Sequence, residues 1–163
     1  MSHIPSIPSS FRYKQQEDSE AANITWWNEF AGYCESINPD VYLVGEVWQD
    51  DKVLENYVQP FDTKFDFAIQ QKILNCVQKG MAVPGFGDSL SVAIENIQNK
   101  YDGVDVNYLN GVFGANHDQD RIASSVNSLD KARQIAAVYM TLPGNPYIYY
   151  GEELGMYGSK PDE

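Results

Sequence analysis

Glu46 and Asp118 are the two carboxylates best placed for chemistry. Glu46 closes the run Val41-Tyr42-Leu43-Val44-Gly45, and Asp118 ends Phe113-Gly114-Ala115-Asn116-His117-Asp118, beside one of the chain's 2 histidines. At both places a short apolar run gives way to polar residues. That is the pattern of a buried parallel strand whose C-terminal end opens on a cleft. Either residue alone is equally a solvated turn carboxylate. Together, at the same end of two parallel strands, they suggest a shared carboxylate site, and glycosidic hydrolysis is the chemistry that most often needs one. One carboxyl must hold a proton for the leaving oxygen while others stay ionised against positive charge at the anomeric carbon. Trp48 lies just past Glu46 and offers a face for a sugar ring or for packing. Arg121 follows Asp118 and could orient a carboxylate, contact substrate or form a structural ion pair.

These residues need elements to aim them. Residues 1–20, rich in Pro, Ser and Gln, read as loop. Ile24, Trp27, Ala31, Cys34 and Ile37 recur at helical spacing and predict a helix over 21–37, stopped by Asn38-Pro39-Asp40. Strands are predicted near 41–45, 64–69, 110–115 and 146–150. The second runs into a helix through about Lys79, residues 80–88 form a loop, and 89–100 form a helix with Leu90, Ala93, Ile94 and Ile97 on one face. Residues 128–141 make the clearest helix: Ser128 is a candidate N-cap, Asp130 lies in the first turn, and Leu129, Ala132, Ile135, Ala136 and Tyr139 form the stripe. Alternating strands and helices imply a parallel sheet with right-handed crossovers. A flavodoxin-like sheet would want a Gly-rich phosphate-binding turn after an early strand, and none occurs. Half of an eight-stranded α/β barrel fits as well, with the C-terminal strand ends lining the active site.

Composition narrows the function classes. The 163 residues suffice for one domain, and 43% hydrophobic and 13% aromatic content can build a core. A net charge of −12, with 11 scattered basic residues, argues against a nucleic-acid partner. No apolar run is long enough for a membrane span, and the first residues lack the apolar stretch of a secretion signal. Cys34 and Cys76 form no CxxC and read as buried free thiols inside helices. A hydrolytic metal held by His3, His117, Glu46 and Asp118 is disfavoured, because no two of them show the close helical spacing of HExxH.

The segments DVYLVGEVW (40–48), FGANHDQDRI (113–122) and LPGNPYIYYGEELGM (142–156) closely resemble sequence regions of the α-amylase family of glycoside hydrolases. The resemblance runs over about 26–156, with three motifs in the right order. It implies a (β/α)8 barrel acting on α-glucosidic bonds with retention, of which residues 1–163 are the second half, strands five to eight. It implies that Glu46 is the general acid/base, that Asp118 stabilises the transition state, and that His117 hydrogen-bonds the sugar in the −1 subsite. Asn116, Trp48 and Arg121 become candidate substrate contacts, and KFDF (64–67) becomes the sixth strand. Glu152 and Glu153 are carboxylates by type but lie in a turn the family uses structurally.

The family's nucleophile is an Asp in a segment of form G-F-R-x-D-A-x-x-H, and the 163 residues contain none. Met1-Ser2-His3-Ile4 resembles the tail of that segment, which would set the nucleophile just upstream of Met1. His3 would then lie near the +1 subsite, at the position whose carbonyl binds calcium in many α-amylases. The expectation is therefore an α-amylase fragment, inactive alone, that acts on α-glucan oligosaccharides or polysaccharides within its parent. No cofactor is needed for the chemistry, and a structural calcium belongs to the full-length protein. The open sheet edges invite self-association. The alternatives are an exo-acting α-glucosidase or oligo-1,6-glucosidase, or a non-catalytic relative. The forms NHDQDR and GSKPDE favour the amylase, and keeping both Glu46 and Asp118 speaks against lost chemistry.

Overall fold

Four short parallel strands, each followed by polar or helical chain, carry the architecture. The computed structural model describes residues 16–48, 55–80, 86–104 and 108–160. The chain divides into two units, Met1–Tyr42 and Leu43–Glu163.

In the first unit, helix α1 spans Gln16–Ile37. It starts earlier than expected: residues 16–20 are helical, and only 1–15 of the predicted loop lie outside the described residues. Gln and Glu are good helix formers, so a polar stretch need not be a loop. Along the expected stripe Ala31 is buried and Ile24, Trp27 and Cys34 are half-buried, whereas Ile37 is exposed. Trp26 stacks on Phe30 with ring centroids 5.4 Å apart. The helix closes as Asn38 N–H donates to the Cys34 carbonyl at 2.9 Å. Cys34 is thus only half-buried, against expectation, while Cys76 is buried and in no disulfide.

The second unit contains β1 (Val44–Gly45), a 3-10 turn (Glu55–Tyr57), β2 (Thr63–Lys64), α2 (Phe67–Lys79), α3 (Phe86–Asp102), β3 (Gly111–Phe113), α4 (Ile122–Val126), α5 (Leu129–Tyr139) and β4 (Asn145–Tyr147). Strand β1 pairs with β2 in parallel, Val44 opposite Thr63, and β3 pairs with β4 in parallel, Gly111 opposite Asn145. A parallel bridge between Phe65 and Gly111 joins the two pairs, giving the order β1-β2-β3-β4. The approach is close: a Cβ on Gly111 would stand 2.8 Å from the Lys64 carbonyl oxygen. Gly144, at φ +131°, turns the chain into β4 where a side chain would strike the Asn110 carbonyl.

The strands are shorter than predicted, and β2 shows why. Residues 67–69 are helical rather than extended, because Asp66 caps α2, its Oδ1 accepting from the Ile69 N–H at 2.8 Å. The same carboxylate accepts from Asn110 Nδ2, and Asp66 N–H donates to the Gly111 carbonyl at 2.9 Å. One buried side chain therefore ends β2, starts α2 and ties both to β3. The short helix α4, the 3-10 turn and the start of α3 at Phe86, inside the predicted loop 80–88, were not legible; residues 81–85 lie outside the described ones.

The core lies between sheet and helices. Ile69, Ile73 and Val77 of α2, Leu90, Ile97 and Tyr101 of α3, Val112 of β3, and Ile135 and Tyr139 of α5 form one cluster. Each such aliphatic side chain stabilises by about 1.5–3 kcal/mol when fully buried. Lys64 is also buried, with Nζ 3.6 Å from the Tyr101 ring centroid and 4.9 Å from that of Tyr108, an aromatic seat that suits a cation. The strands' C-terminal ends, at Gly45, Lys64, Phe113 and Tyr147, are left to build the site.

Candidate active site

Parallel strands put their C-terminal ends on one side, and of the predicted residues Glu46, Asn116 and His117 line a cleft there. Glu46 directly follows β1. Its Oε1 accepts from Trp48 Nε1 at 3.3 Å and from Asn116 Nδ2 at 3.5 Å. The second bond crosses 70 positions of sequence, from beyond β3 to beyond β1. Both donors engage the same oxygen, Oε1.

After β3 the chain folds into a tight turn. Asn116 Oδ1 accepts from the Asp118 N–H at 3.0 Å, and the Asn116 carbonyl accepts from the Gln119 N–H at 3.3 Å. This is the local geometry that Asn and Asp favour. It sets His117 against Asp118, Nε2 to Oδ2 3.1 Å, while Lys160 Nζ reaches the other oxygen, Oδ1, at 3.3 Å.

Between the strand ends lies a shallow cleft of about 200 Å³, with Glu46, Asn116 and His117 on its polar side and Phe65, Phe113, Tyr147 and Tyr149 on its aromatic side. The rings support one another: Tyr147 to Phe65 is 4.8 Å, Phe65 to Phe113 5.3 Å, and Phe113 to Phe67 5.1 Å, all edge-on. Aromatic walls with a few convergent polar groups describe a small-molecule site. A sugar presents apolar ring faces to such walls and hydroxyls to the polar residues.

The other predicted residues are placed as follows. Asp118 does not itself line the cleft; it is held by its lining neighbour His117 and by Lys160. Trp48 is 55% exposed and packs on Phe67 at 3.8 Å, so it meets Glu46 through its N–H and offers a ring face to solvent. Arg121 is 8% exposed. It donates to the Tyr150 carbonyl at 2.6 Å and lies 4.7 and 4.6 Å from the Tyr149 and Tyr150 ring centroids, holding the segment after β4 in place. His3 lies outside the described residues. Sequence reasoning missed Phe65, Phe113, Tyr147 and Tyr149 as walls, though each lies inside a predicted strand. Lys160, far along the chain, carried no signal.

Glu152 does not line the cleft. Burial pushes its carboxyl up to about 7, against lowering by the Tyr149 backbone, Tyr139 and Arg121. Among the described residues no three of His, Cys, Asp and Glu cluster as a metal site. The calcium expected at the His3 carbonyl falls outside them, and no step below involves a metal.

A parallel α/β sheet with an aromatic cleft at its C-terminal edge, lined by one carboxylate, is the arrangement to compare with known proteins. The family model described as "Alpha amylase, catalytic domain" matches residues 2–163. The chain belongs to this family of glycoside hydrolases. It is 40% identical over 149 residues to Alpha-amylase 3 of Dictyoglomus thermophilum, an alignment covering 90% of this chain and 28% of that protein. Among solved structures, an α-amylase from H. orenii superposes with a TM-score of 0.77 at 37% identity, covering 94% of this chain and 30% of that one. An α-amylase from Geobacillus thermoleovorans complexed with acarbose gives 0.73 at 26% identity, covering 84% and 31%. The chain thus spans under a third of the length of these relatives, and its parallel sheet fits part of their (β/α)8 barrel.

Proposed function

We propose that this chain supplies the acid/base half of a retaining α-glucan hydrolase, as strands five to eight of a (β/α)8 barrel. Glu46, in its protonated form, gives its proton to the departing glycosidic oxygen and later takes one from the attacking water. Asp118 and His117 hold hydroxyls of the sugar at the cleaved bond, and Asp118 offsets the positive charge that develops there. Phe65, Phe113, Tyr147 and Tyr149 wall the ring in. The nucleophile is an aspartate of the G-F-R-x-D-A segment, which these 163 residues do not include. α-Amylase action on starch-like glucan is favoured over that of an exo-acting α-glucosidase or oligo-1,6-glucosidase, on the NHDQDR and GSKPDE forms and on the likeness to α-amylases. A calcium would be structural, and the open sheet edges make the isolated chain self-associate.

The observation that carries this reading is the bond from Asn116 to Glu46, which joins the ends of β1 and β3 around one cleft. The expected result is no turnover of starch or a maltoside by the purified chain, since the nucleophile that forms the glycosyl-enzyme would be a third carboxylate besides Glu46 and Asp118. Turnover by that chain would refute the need for a third. In a protein that joins this chain to a G-F-R-x-D-A segment, Glu46→Gln should cut kcat by at least about a thousand-fold with oligosaccharide binding largely kept; wild-type-like activity would remove Glu46 from the acid/base role.

A further inference from the structure

Asp118 is held from both sides, and the second holder comes from far along the sequence. His117 Nε2 meets Oδ2 at 3.1 Å, and Lys160 Nζ meets Oδ1 at 3.3 Å. The lysine does not arrive by chance of a long side chain. Its backbone N–H donates to Asp120 Oδ1 at 2.8 Å. Two residues earlier, Gly158 N–H donates to Ser124 Oγ at 2.8 Å and the Gly158 carbonyl accepts from Arg121 N–H at 2.9 Å. Further back, Arg121 Nη1 holds the Tyr150 carbonyl at 2.6 Å. The segment after β4 is thus stitched to the chain after β3 at Tyr150, Gly158 and Lys160, and the last stitch delivers an ammonium to Asp118.

Stability does not account for this arrangement. The Lys160 and Asp118 side chains are 43% and 39% exposed. An ion pair so exposed adds at most about 1 kcal/mol to folding. What it does supply is direction. A lone aspartate on a turn rotates between staggered positions, whereas a carboxylate gripped on each oxygen by a different element presents one face. Lysine suits the task, because its ammonium is a compact charge on a flexible stem with three donors, able to pass a bond to an arriving sugar hydroxyl. His117, Lys160 and Tyr149 are among the titratable groups near Asp118, and of these Lys160 comes from farthest along the chain.

We propose that Lys160, fixed by Asp120, is the positioning residue of Asp118: it holds that carboxylate in a single orientation at the sugar site. The proposal rests on the reading of Asp118 as a sugar-holding carboxylate. Its first test does not use catalysis. Three-bond couplings to the Asp118 side-chain carbon, measured by NMR on the full chain, should report one χ1 position in the wild type, averaged positions in Lys160→Met and in Asp120→Ala, and one position again in Lys160→Arg. A single unchanged position in Lys160→Met would overturn it, as would Arg failing to restore what Met loses. The second test uses the chain joined to a G-F-R-x-D-A segment. There Lys160→Met should lower kcat about ten-fold with KM within about two-fold, and Lys160→Arg should recover most of the loss. A change in KM alone would oppose positioning. No glucan turnover by that wild type would sink the functional reading while leaving the coupling result to decide the Lys160 contact.

Discussion

Glu152 shows how one residue can look catalytic and be structural. Its Oε2 accepts from the Tyr139 hydroxyl at 3.4 Å, and its Oε1 is buried with no hydrogen-bond partner. A carboxylate pays heavily for such a place, so burial lifts it from 4.5 to about 7. Burial, and Glu152 itself, push the Tyr139 hydroxyl up as well, so it stays a donor. The folded state then holds a proton that the unfolded chain has released between those two values. Stability from this group is full below about 4.5 and is lost as pH rises through about 7. Because the carboxyl is only partly buried, the loss should be on the order of 1 kcal/mol after solvent screening. Urea denaturation from pH 5 to pH 8 should show the wild type weakening, with Glu152→Gln flattening that slope. Parallel curves for the two would refute the assignment. Residue type alone could not separate Glu152 from Glu46, since both are carboxylates just past an apolar run. Burial separates them: one lies beneath Tyr139, the other faces the cleft. Lys160 was illegible for a related reason, since its role exists only once Asp120 and Gly158 have drawn two loops together.

At the level of elements, Asp66 does the most with the least. It caps α2 through the Ile69 N–H, accepts from Asn110 and fixes the bridge to β3 through its own N–H. Asp66→Ala removes a cap worth about 1 kcal/mol and strips a partner from buried Asn110, a further cost of about 1–3 kcal/mol. The expected loss is about 2–4 kcal/mol in chemical denaturation, with Asp66→Asn milder because it still accepts at the cap. A loss under about 0.5 kcal/mol for the alanine, typical of plain surface changes, would show that the junction is held by other means. The four strands, α2, α5 and its Ser128 cap were legible because local pattern dictates them: Ser128 Oγ does accept from the Lys131 N–H, at 3.3 Å. The strand ends were not. Phe65-Asp66-Phe67-Ala68-Ile69 is apolar enough to read as strand, and only the Asp66 contacts with β3 decide that extension stops at residue 65. The same limit hid α4, a five-residue helix with no side-chain cap bond to announce it.

For the sheet as a whole, the question is what its edges do. In the order β1-β2-β3-β4, no described strand lies beyond β1 or beyond β4. Pro146 in β4 lacks an N–H to offer a neighbour, a common feature of edge strands. Parallel sheets are ordinarily covered on both faces and closed or flanked at their edges. Here Val44, Ile148, Tyr150 and Leu154 are exposed around those edges. Pairing of β4 in one copy with β1 in another would satisfy the unpaired backbone and cover these side chains. Opposing it is a net charge of −12, which repels like copies at long range. The two effects respond differently to salt. Screening over a Debye length of about 10 Å at 0.1 M weakens repulsion while leaving backbone pairing and apolar contact intact. Light scattering should therefore show a species heavier than the 18.4 kDa chain, its share growing as salt is raised. Val44→Lys in β1 should return it to monomer, since charge on an edge strand deters pairing. A monomer at every ionic strength would mean that the polar groups at the edges are content with water, and would remove self-association from the account of this chain.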